Sequence, residues 1–242
     1  GDADFVGMCR QLICDADTVR KVRRGEDEEV THCIACNQNC LGGIHTNGHV
    51  GCIQTPRSGR ETDIPHIEDL DSAPDPREVL VVGGGPAGLS FAVTAADFGH
   101  DVTIREKESE LGGQSNIATQ VDSRREFGDA VRNLRNQLDN RDVTVETDTE
   151  VEAGDLASES WDDIVIAIGA TERAPDLAGP DVHRSWDVLR GEAVGDRVIV
   201  FDNNKHAAGV GVAEYLLDNE DCEVTFVTTS YHPGDQLEGT NV

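Results

Sequence analysis

The sequence predicts an α/β protein in which a Rossmann-like dinucleotide-binding domain follows a short cysteine-rich segment. The apolar run 79–82 leads directly into a glycine-rich turn and then into a helical stretch, which is the order of a nucleotide-binding β–turn–α unit. Upstream, four of the seven cysteines lie between Cys33 and Cys52, where no hydrophobic period is sustained. The first pattern indicates a parallel sheet covered by helices, and the second indicates a loop organised by its ligands.

Composition indicates a globular chain with a strongly anionic surface. Apolar residues make up 37% of the 242 positions, and 47 acidic against 20 basic residues give a formal charge of -27. Such a field opposes nucleic acid and anionic membranes as partners, and its self-repulsion weakens the folded state unless counterions screen it. Lysine occurs only at Lys21, Lys107 and Lys205, so we expect a halophilic protein, with an ordinary acidic protein as the alternative.

Neither a signal peptide nor a membrane span is recognisable in these residues. No apolar run approaches the roughly 18 residues of a membrane helix, and Gly-Asp-Ala-Asp-Phe at the start is neither basic nor apolar. We therefore expect a cytoplasmic protein whose cysteines stay reduced.

Composition and hydrophobic periodicity divide the chain into five predicted segments. They are residues 1–24 with a strand end at Phe5 and Val6 and a short helix, the cysteine segment 25–56, a polar and proline-rich connector 57–77, a first dinucleotide-binding domain 78–190, and a truncated second dinucleotide-type domain 191–242. In the first domain we predict strands at 79–82, 102–104, 143–145 and 164–168, and a helix with the apolar stripe Phe127, Val131, Leu134 and Leu138. The second domain is predicted as one β–α–β unit, with strands at 198–201 and 224–227 and a helix at 207–217.

The cysteine segment has the ligand spacing of a metal centre. The pattern C-x2-C-x3-C-x11-C is formed by Cys33, Cys36, Cys40 and Cys52. This grouping of three close thiolates and one distant thiolate favours a [4Fe–4S] cluster, whereas structural zinc sites more often pair two short hooks. Zinc stays as the alternative metal, and we interpret His45 and His49, within the excursion, as solvated loop residues.

The glycine-rich turn predicts a pyrophosphate site. Gly83 makes the tight turn, Gly85 lets the backbone approach the pyrophosphate, and Gly88 lets the helix pack closely on the strand. Ala87 belongs to the same predicted site, and the N-terminus of the following helix faces the anion. Glu106, at the end of the second strand, is placed to accept hydrogen bonds from ribose hydroxyl groups.

Two further turns of small residues favour FAD over NAD at this first site. Leu111-Gly112-Gly113-Gln114 follows shortly after the predicted ribose-binding residue, and Ile168-Gly169-Ala170-Thr171 ends a later strand. Both turns resemble the pattern of flavoproteins with two dinucleotide domains, in which FAD binds the first. Gly113 and Gln114 are therefore included in the predicted cofactor site.

Four motifs, taken in order, resemble one family. They are Asp4-Phe5-Val6-Gly7-Met8-Cys9-Arg10, Cys33-Ile34-Ala35-Cys36-Asn37-Gln38-Asn39-Cys40-Leu41, Val81-Val82-Gly83-Gly84-Gly85-Pro86-Ala87-Gly88 and Gly112-Gly113-Gln114. Together they are similar to the C-terminal part of multidomain old-yellow-enzyme-like NADH:flavin oxidoreductases, the 2,4-dienoyl-CoA reductase and trimethylamine dehydrogenase family. The resemblance covers nearly the whole chain.

The resemblance implies a place for this chain in a longer flavoenzyme. In that family an FMN-binding (β/α)8 barrel comes first, so residues 1–24 would be its C-terminal remnant, in which Gly7 and Arg10 contact the FMN phosphate. FMN in the full-length enzyme would exchange electrons with a small-molecule substrate, the cluster would divide them into single steps, and FAD would pass them on. We expect the isolated fragment to be inactive, because the barrel that binds the substrate is missing.

One departure from the reductases opens alternatives. Where they carry a second glycine-rich turn for NADPH, this sequence has Asp202-Asn203-Asn204, and a carboxylate with two bulky neighbours disfavours a pyrophosphate. The first alternative is an amine dehydrogenase or demethylase resembling trimethylamine dehydrogenase, with ADP in the first dinucleotide site and an electron-transfer protein as partner. The second alternative is a non-enzymatic, zinc-stapled nucleotide-binding module.

Overall fold

The computed structural model of the chain describes residues 3–46, 48–173, 179 and 181–237, and the chain forms two compact units. Unit 1 contains Gly1–Ser115 and Phe127–Gly169, and unit 2 contains Asn116–Glu126 and Ala170–Val242. Residues 170–190, which we predicted as part of the first dinucleotide domain, group with unit 2. The outer ends of the predicted segments, at 1–2 and 238–242, lie outside the described residues. Across the described part of the chain, no helix combines the length and apolar character needed to cross a membrane.

Unit 1 begins with short elements. They are α1 (Arg10–Cys14), α2 (Thr18–Arg24), a 3-10 turn at Asp27–Glu29, α3 (Leu41–Thr46) and a second 3-10 turn at Ile67–Asp69. α2 ends at Gly25, whose left-handed φ of 74° closes the helix. Phe5 and Val6, predicted as a strand end, are irregular and exposed instead. The cysteine segment, predicted as a loop, contains α3.

A parallel sheet forms the rest of unit 1. Its elements are β1 (Glu78–Val82), α4 (Pro86–Asp97), β2 (Asp101–Arg105), α6 (Gly128–Asp139), β3 (Val143–Glu146), α7 (Ala153–Ser158) and β4 (Asp163–Ile166). Helix α5 (Gln114–Ala118) begins in unit 1 and ends in unit 2. The strand order is β3-β2-β1-β4, and Val81 of β1 pairs with Ile104 on one side and Val165 on the other. Because every pairing is parallel, the carboxyl ends of all four strands lie at one edge of the sheet.

The core of unit 1 lies between this sheet and helices α4 and α6. Val81 and Leu89 are fully buried, and they pack in one cluster with Val131 and Leu138 of the apolar stripe on α6. Such a stripe faces the sheet because residues three and four apart share one side of a helix. Val131, Leu134 and Leu138 therefore belong to the core, as their spacing predicts, whereas Phe127 precedes α6 and is half-buried outside this cluster.

Unit 2 contains one β–α–β unit with a short preceding helix. Its elements are α8 (Ser185–Leu189), β5 (Arg197–Asp202), α9 (Ala207–Asn219) and β6 (Glu223–Thr228). β5 and β6 pair in parallel over their full lengths, and Val188 of α8 packs with Val200, Val212 and Leu216. This packing explains why α8 groups with unit 2. The predicted α/β, Rossmann-like fold class is confirmed.

Candidate functional site

Close backbone contacts require glycine at Gly83 of the β1–α4 turn and at Gly88 in the first turn of α4. Gly83 has a φ of 107°, and a Cβ at this position would lie 2.5 Å from the carbonyl oxygen of Ala167. A Cβ on Gly88 would overlap the carbonyl oxygen of Gly83. Only glycine at this second position lets α4 pack so closely on β1.

Gly85 has a different environment. A Cβ built on Gly85 meets no atom within 4 Å, and its φ of -75° suits any residue. Gly85 precedes α4, which has 12 residues with Ala87 in its first turn, and the N–H groups at this end carry the positive pole of the helix dipole. The open space at Gly85 is therefore where an anionic group can approach the turn.

Glu106 closes the same turn from the neighbouring strand. It follows β2, is 6% exposed, and its Oε2 accepts a hydrogen bond of 2.6 Å from the N–H of Gly84. Its Oε1 accepts a second bond, of 2.9 Å, from the N–H of Glu108. Each carboxylate oxygen has a further lone pair, so acceptor capacity remains for a ribose hydroxyl. Sequence reasoning missed the bond to Gly84 because it depends on the register of β1 and β2.

A second glycine turn lies against the first. The N–H of Gly112 donates to a carbonyl oxygen of the first turn at 2.9 Å, and a Cβ on Gly113 would lie 3.3 Å from Cα of Gly85. Gln114 begins α5, and its Nε2 would lie 2.9 Å from a Cβ on Gly169, whose φ is 68°. These turns meet at the carboxyl ends of the strands, where open α/β sheets bind their ligands.

All four cysteines of the predicted metal site line one cavity of unit 1: Cys33, Cys36, Cys40 and Cys52. A fifth cysteine, Cys14, lines the same cavity and is 1% exposed. Among the residues that the structure describes, no three His, Cys, Asp or Glu side chains converge closely enough to hold a single metal ion. His45 and His49 of the excursion are both exposed.

Hydrogen bonds to sulfur distinguish the cysteines of this cavity. The Cys14 thiol and the backbone N–H groups of Gln54 and Thr55 hydrogen-bond to the sulfur of Cys52, and these bonds lower the pKa of Cys52 to about 6. The bond to Cys52 raises the pKa of Cys14. Burial raises the pKa of Cys36. The pKa shifts of Cys14 and Cys52 thus have opposite directions because the two side chains lie together.

The loop around Cys36 has an unusual backbone conformation. Ala35 and Asn37 have left-handed φ angles of 52° and 58°, and this conformation costs about 1–2 kcal/mol for a residue such as alanine. Nη1 of Arg10 donates to Oδ1 of Asn37 at 2.8 Å, which ties α1 to this loop. Gly7 lies in the irregular chain before α1, and a Cβ there meets no atom within 4 Å. The structure thus brings Arg10, but not Gly7, to the cysteine segment.

Helix α6 holds the cysteine segment through a buried asparagine that sequence reasoning missed. Asn133 is 1% exposed, and its Nδ2 donates to the carbonyl oxygen of His32 at 2.9 Å and to Oε1 of Gln54 at 3.0 Å. Nε2 of Gln54 donates to the same carbonyl oxygen at 2.9 Å and to Sγ of Cys14 at 3.3 Å. The sequence signal is an asparagine beside the apolar stripe of α6, and it does not identify these partners.

A buried carboxylate occupies the β5–α9 turn of unit 2. Asp202 ends β5, is 2% exposed, and its Oδ1 accepts hydrogen bonds from the N–H groups of Asn204 at 3.0 Å and Lys205 at 3.3 Å. Its Oδ2 is buried and has no hydrogen-bond partner among the described residues. A Cβ on Gly209 would lie 2.6 Å from Cβ of Asp202, so α9 packs directly against this side chain.

Known proteins with similar sequences and structures share this arrangement of elements. Residues 77–205 match the pyridine nucleotide-disulphide oxidoreductase family. An NADH oxidase from Thermoanaerobacter brockii is 34% identical over 236 residues, which cover 94% of this chain and 35% of the relative.

Two solved structures are similar over nearly the whole chain. A 2-naphthoyl-CoA reductase complex has a TM-score of 0.87 and 32% identity, covering 97% of this chain and 35% of that one. Histamine dehydrogenase from Rhizobium sp. 4-9 has a TM-score of 0.86 and 27% identity, and the match covers 100% of this chain and 37% of that one.

The extent of these matches shows the family. The matched range 77–205 is more than half of the 242 residues. The chain spans about a third of the length of the curated relatives it matches. The chain therefore belongs to the pyridine nucleotide-disulphide oxidoreductase family and is homologous to the C-terminal part of the old-yellow-enzyme-like oxidoreductases related to 2,4-dienoyl-CoA reductase and trimethylamine dehydrogenase.

Proposed function

We propose that this chain is the electron-transfer portion of a flavin- and iron–sulfur-dependent oxidoreductase resembling 2,4-dienoyl-CoA reductase. The observation that carries the proposal is that one compact unit contains both a cavity lined by four cysteines and a glycine-rich turn that is open at Gly85. The cavity supplies thiolate ligands, and the turn supplies N–H groups for a pyrophosphate. In the full-length enzyme, Gly7 and Arg10 would contact the FMN phosphate, and the substrate would bind outside this chain.

Cys33, Cys36, Cys40 and Cys52 would hold a [4Fe–4S] cluster. Each thiolate of a cubane binds a different iron, so the ligand sulfurs stand further apart than they do around one ion. Ala35 and Asn37 have left-handed backbone conformations, and left-handed residues next to right-handed ones form the backbone concavities that recur at iron–sulfur sites. The N–H groups that donate to Cys52 stabilise a thiolate ligand. When bound, such a cluster supplies transfer of one electron at a time.

The β1–α4 turn would hold FAD, or ADP in its place. The N–H groups at the start of α4 would bind the pyrophosphate in the open space at Gly85, and Glu106 would accept a hydrogen bond from the ribose. Gly113 lies against this turn and Gln114 lies beside Gly169, and both would border the nucleotide. When bound, FAD supplies transfer of an electron pair to or from a carrier.

Anaerobic reconstitution of the chain at high salt tests this proposal. We expect iron and acid-labile sulfide in equal amounts, a broad visible absorbance, and FAD released on acid extraction. Cys40→Ser should lose the iron and sulfide, whereas Cys222→Ala, a cysteine of unit 2, should keep them. Stoichiometric zinc without sulfide would contradict the cluster, and ADP without flavin would favour the amine-dehydrogenase alternative.

The β5–α9 turn favours a second candidate, an enzyme resembling the amine dehydrogenases and demethylases. A nicotinamide pyrophosphate on this turn would meet the carboxylate of Asp202 in place of glycine N–H groups, so electrons would leave through a protein partner. Titration calorimetry of NADH and NADPH, in molar potassium chloride to screen the acidic surface, should give no measurable binding at this turn. Micromolar binding that survives Gly85→Val would place the nicotinamide there and contradict this candidate.

A further inference from the structure

The fifth cysteine of the cavity has a role that the four-cysteine pattern does not include. Cys14 is the last residue of α1 and lies outside the predicted ligand spacing. It is buried, and its side chain lies beside that of Cys52 in the same cavity. A buried thiol in contact with a cluster ligand can act on the cluster without binding iron.

The neighbours of Cys14 determine the direction of this hydrogen bond. The carbonyl oxygen of His32 can only accept, so the Gln54 amide must point its Nε2 at this oxygen, at 2.9 Å, and the same Nε2 donates to Sγ of Cys14 at 3.3 Å. Oε1 of Gln54 accepts from Asn133 at 3.0 Å, which agrees with that orientation. The sulfur of Cys14 therefore accepts one hydrogen bond and keeps its own hydrogen. As a cluster ligand Cys52 would be a thiolate with no hydrogen to donate, so a bond between the two sulfurs would run from Cys14 to Cys52.

We propose that Cys14 is a positioning residue for the [4Fe–4S] cluster, donating its S–H to the Cys52 ligand and thereby raising the reduction potential. This inference rests on the proposed cluster. Uptake of one electron makes or breaks no bond and adds one negative charge, part of which lies on the ligand sulfurs. A donor at Cys52 stabilises that charge more in the reduced state than in the oxidised state, and hydrogen bonds to sulfur are among the determinants of cluster potential.

The same geometry connects the potential to helix α6. Hydrogen bonds run from Asn133 to Gln54 and from Gln54 to Cys14, and the proposed bond from Cys14 to Cys52 would continue them. Asn133 and Cys14 are each 1% exposed. Because Asn133 and Cys14 have little contact with water, solvent does not replace these hydrogen bonds. The Cys14 thiol would therefore keep its orientation toward Cys52 when the cluster changes charge.

A potentiometric titration of the anaerobically reconstituted 242-residue chain tests the role of Cys14. The chain is reduced with dithionite in the presence of mediator dyes, and the electron paramagnetic resonance signal of the reduced cluster is followed. Cys14→Ala removes the donor and should shift the midpoint potential to a more negative value with unchanged iron and sulfide content. Cys14→Ser retains a hydroxyl donor and should stay nearer the wild-type potential. Cys222→Ala, the matched loss of a thiol in unit 2, should leave the potential unchanged.

Each contrary result identifies a different error. A full cluster with an unchanged potential in Cys14→Ala overturns the role of Cys14 and leaves the proposed cluster intact. Loss of iron and sulfide from a folded Cys14→Ala would make Cys14 a ligand, which also overturns this role. A wild-type chain that takes up no iron and sulfide overturns the proposed cluster and the role of Cys14 together. If the alanine variant unfolds, Cys14→Val, which fills the volume without a donor, gives the same test.

Discussion

Two strand-to-helix turns of the same topology, one in each unit, are closed by carboxylates from different places. In the β1–α4 turn, the N–H of Gly84 donates to Glu106, which belongs to the end of the neighbouring strand. In the β5–α9 turn, the N–H groups of Asn204 and Lys205 donate to Asp202, the last residue of the turn's own strand. Both turns thus satisfy backbone donors with a buried acidic side chain.

The source of the carboxylate decides what else the turn can do. With the acceptor supplied by β2, the first turn can be made of glycines and stays open at Gly85. With the acceptor inside the turn, the side chain of Asp202 lies against α9 at Gly209. A parallel β–α–β topology therefore does not by itself distinguish a turn that is open to an anion from a turn that contains its own carboxylate.

The largest effect on the free energy of unfolding is expected from adding a side chain at Gly88, where α4 packs against the first turn. Gly88→Ala places a Cβ on the carbonyl oxygen of Gly83; because neither backbone can move without separating α4 from β1, we expect a loss of about 3 kcal/mol in the free energy of unfolding. Urea unfolding of both proteins in molar potassium chloride measures this loss. Gly154→Ala, in α7 where a Cβ meets no atom within 4 Å, is the matched control and should be neutral or slightly stabilising. Equal stability of the two variants would refute the close contact at Gly88.

A smaller effect is expected from removing each closing carboxylate. Glu106→Ala and Asp202→Ala each delete an acceptor of two backbone N–H groups, so each should cost about 2 kcal/mol of unfolding free energy. Only Glu106→Ala should also weaken nucleotide binding, because only the first turn is open to an anion. Asp218→Ala, at an exposed position, should stay within about 0.5 kcal/mol of wild type. Weaker FAD or ADP binding in Asp202→Ala would break the distinction between the two turns.

The smallest effect on stability, with a clear effect on binding, is expected at Gly85. Gly85→Val places a side chain in open space, so the unfolding free energy should change by less than about 1 kcal/mol. The same side chain blocks the approach of a pyrophosphate, and FAD or ADP should bind about tenfold more weakly or worse. A fluorescence titration with FAD measures the affinity. Unchanged affinity would mean that the nucleotide does not approach the turn at Gly85.

Hydrophobic periodicity was sufficient for the main elements of the fold, and it failed where packing overrides local preference. The run predicted at 79–82 forms β1 (Glu78–Val82), and the stripe on α6 is buried against the sheet. Helix α3 was predicted as a loop because the cysteine segment has no sustained hydrophobic period, and its Gly42 and Gly43 have low helix propensity. Both glycines are buried there, and a Cβ on Gly43 would lie 2.8 Å from the carbonyl oxygen of His49, so close packing selects glycine within this helix.

The parts of the candidate site that lie within short sequence motifs were predictable from the sequence. The spacing of Gly83, Gly85 and Gly88 gives their positions in the turn without any tertiary information. The bond from Gly84 to Glu106 and the pairing of Cys14 with Cys52 join residues distant in sequence, so both needed the folded structure.

The contacts of α6 with the cysteine segment also predict how these parts exchange amide hydrogens with water. Beyond the bonds of Asn133, Nε2 of Gln137 donates to Oγ1 of Thr31 at 3.0 Å. The amide of Thr31 in turn donates to Asp15 at 2.9 Å, and the amide of Cys33 donates to Gln11 at 2.9 Å. The cysteine segment is hydrogen-bonded both to α6 and to residues in and next to α1, so its amides become exposed only when these contacts break. These amides should therefore exchange at the rate of the central strands rather than at the rate of a surface loop. The cysteine segment and the sheet would then form a single foldon, and the protection of Cys33 would report the opening of the whole of unit 1.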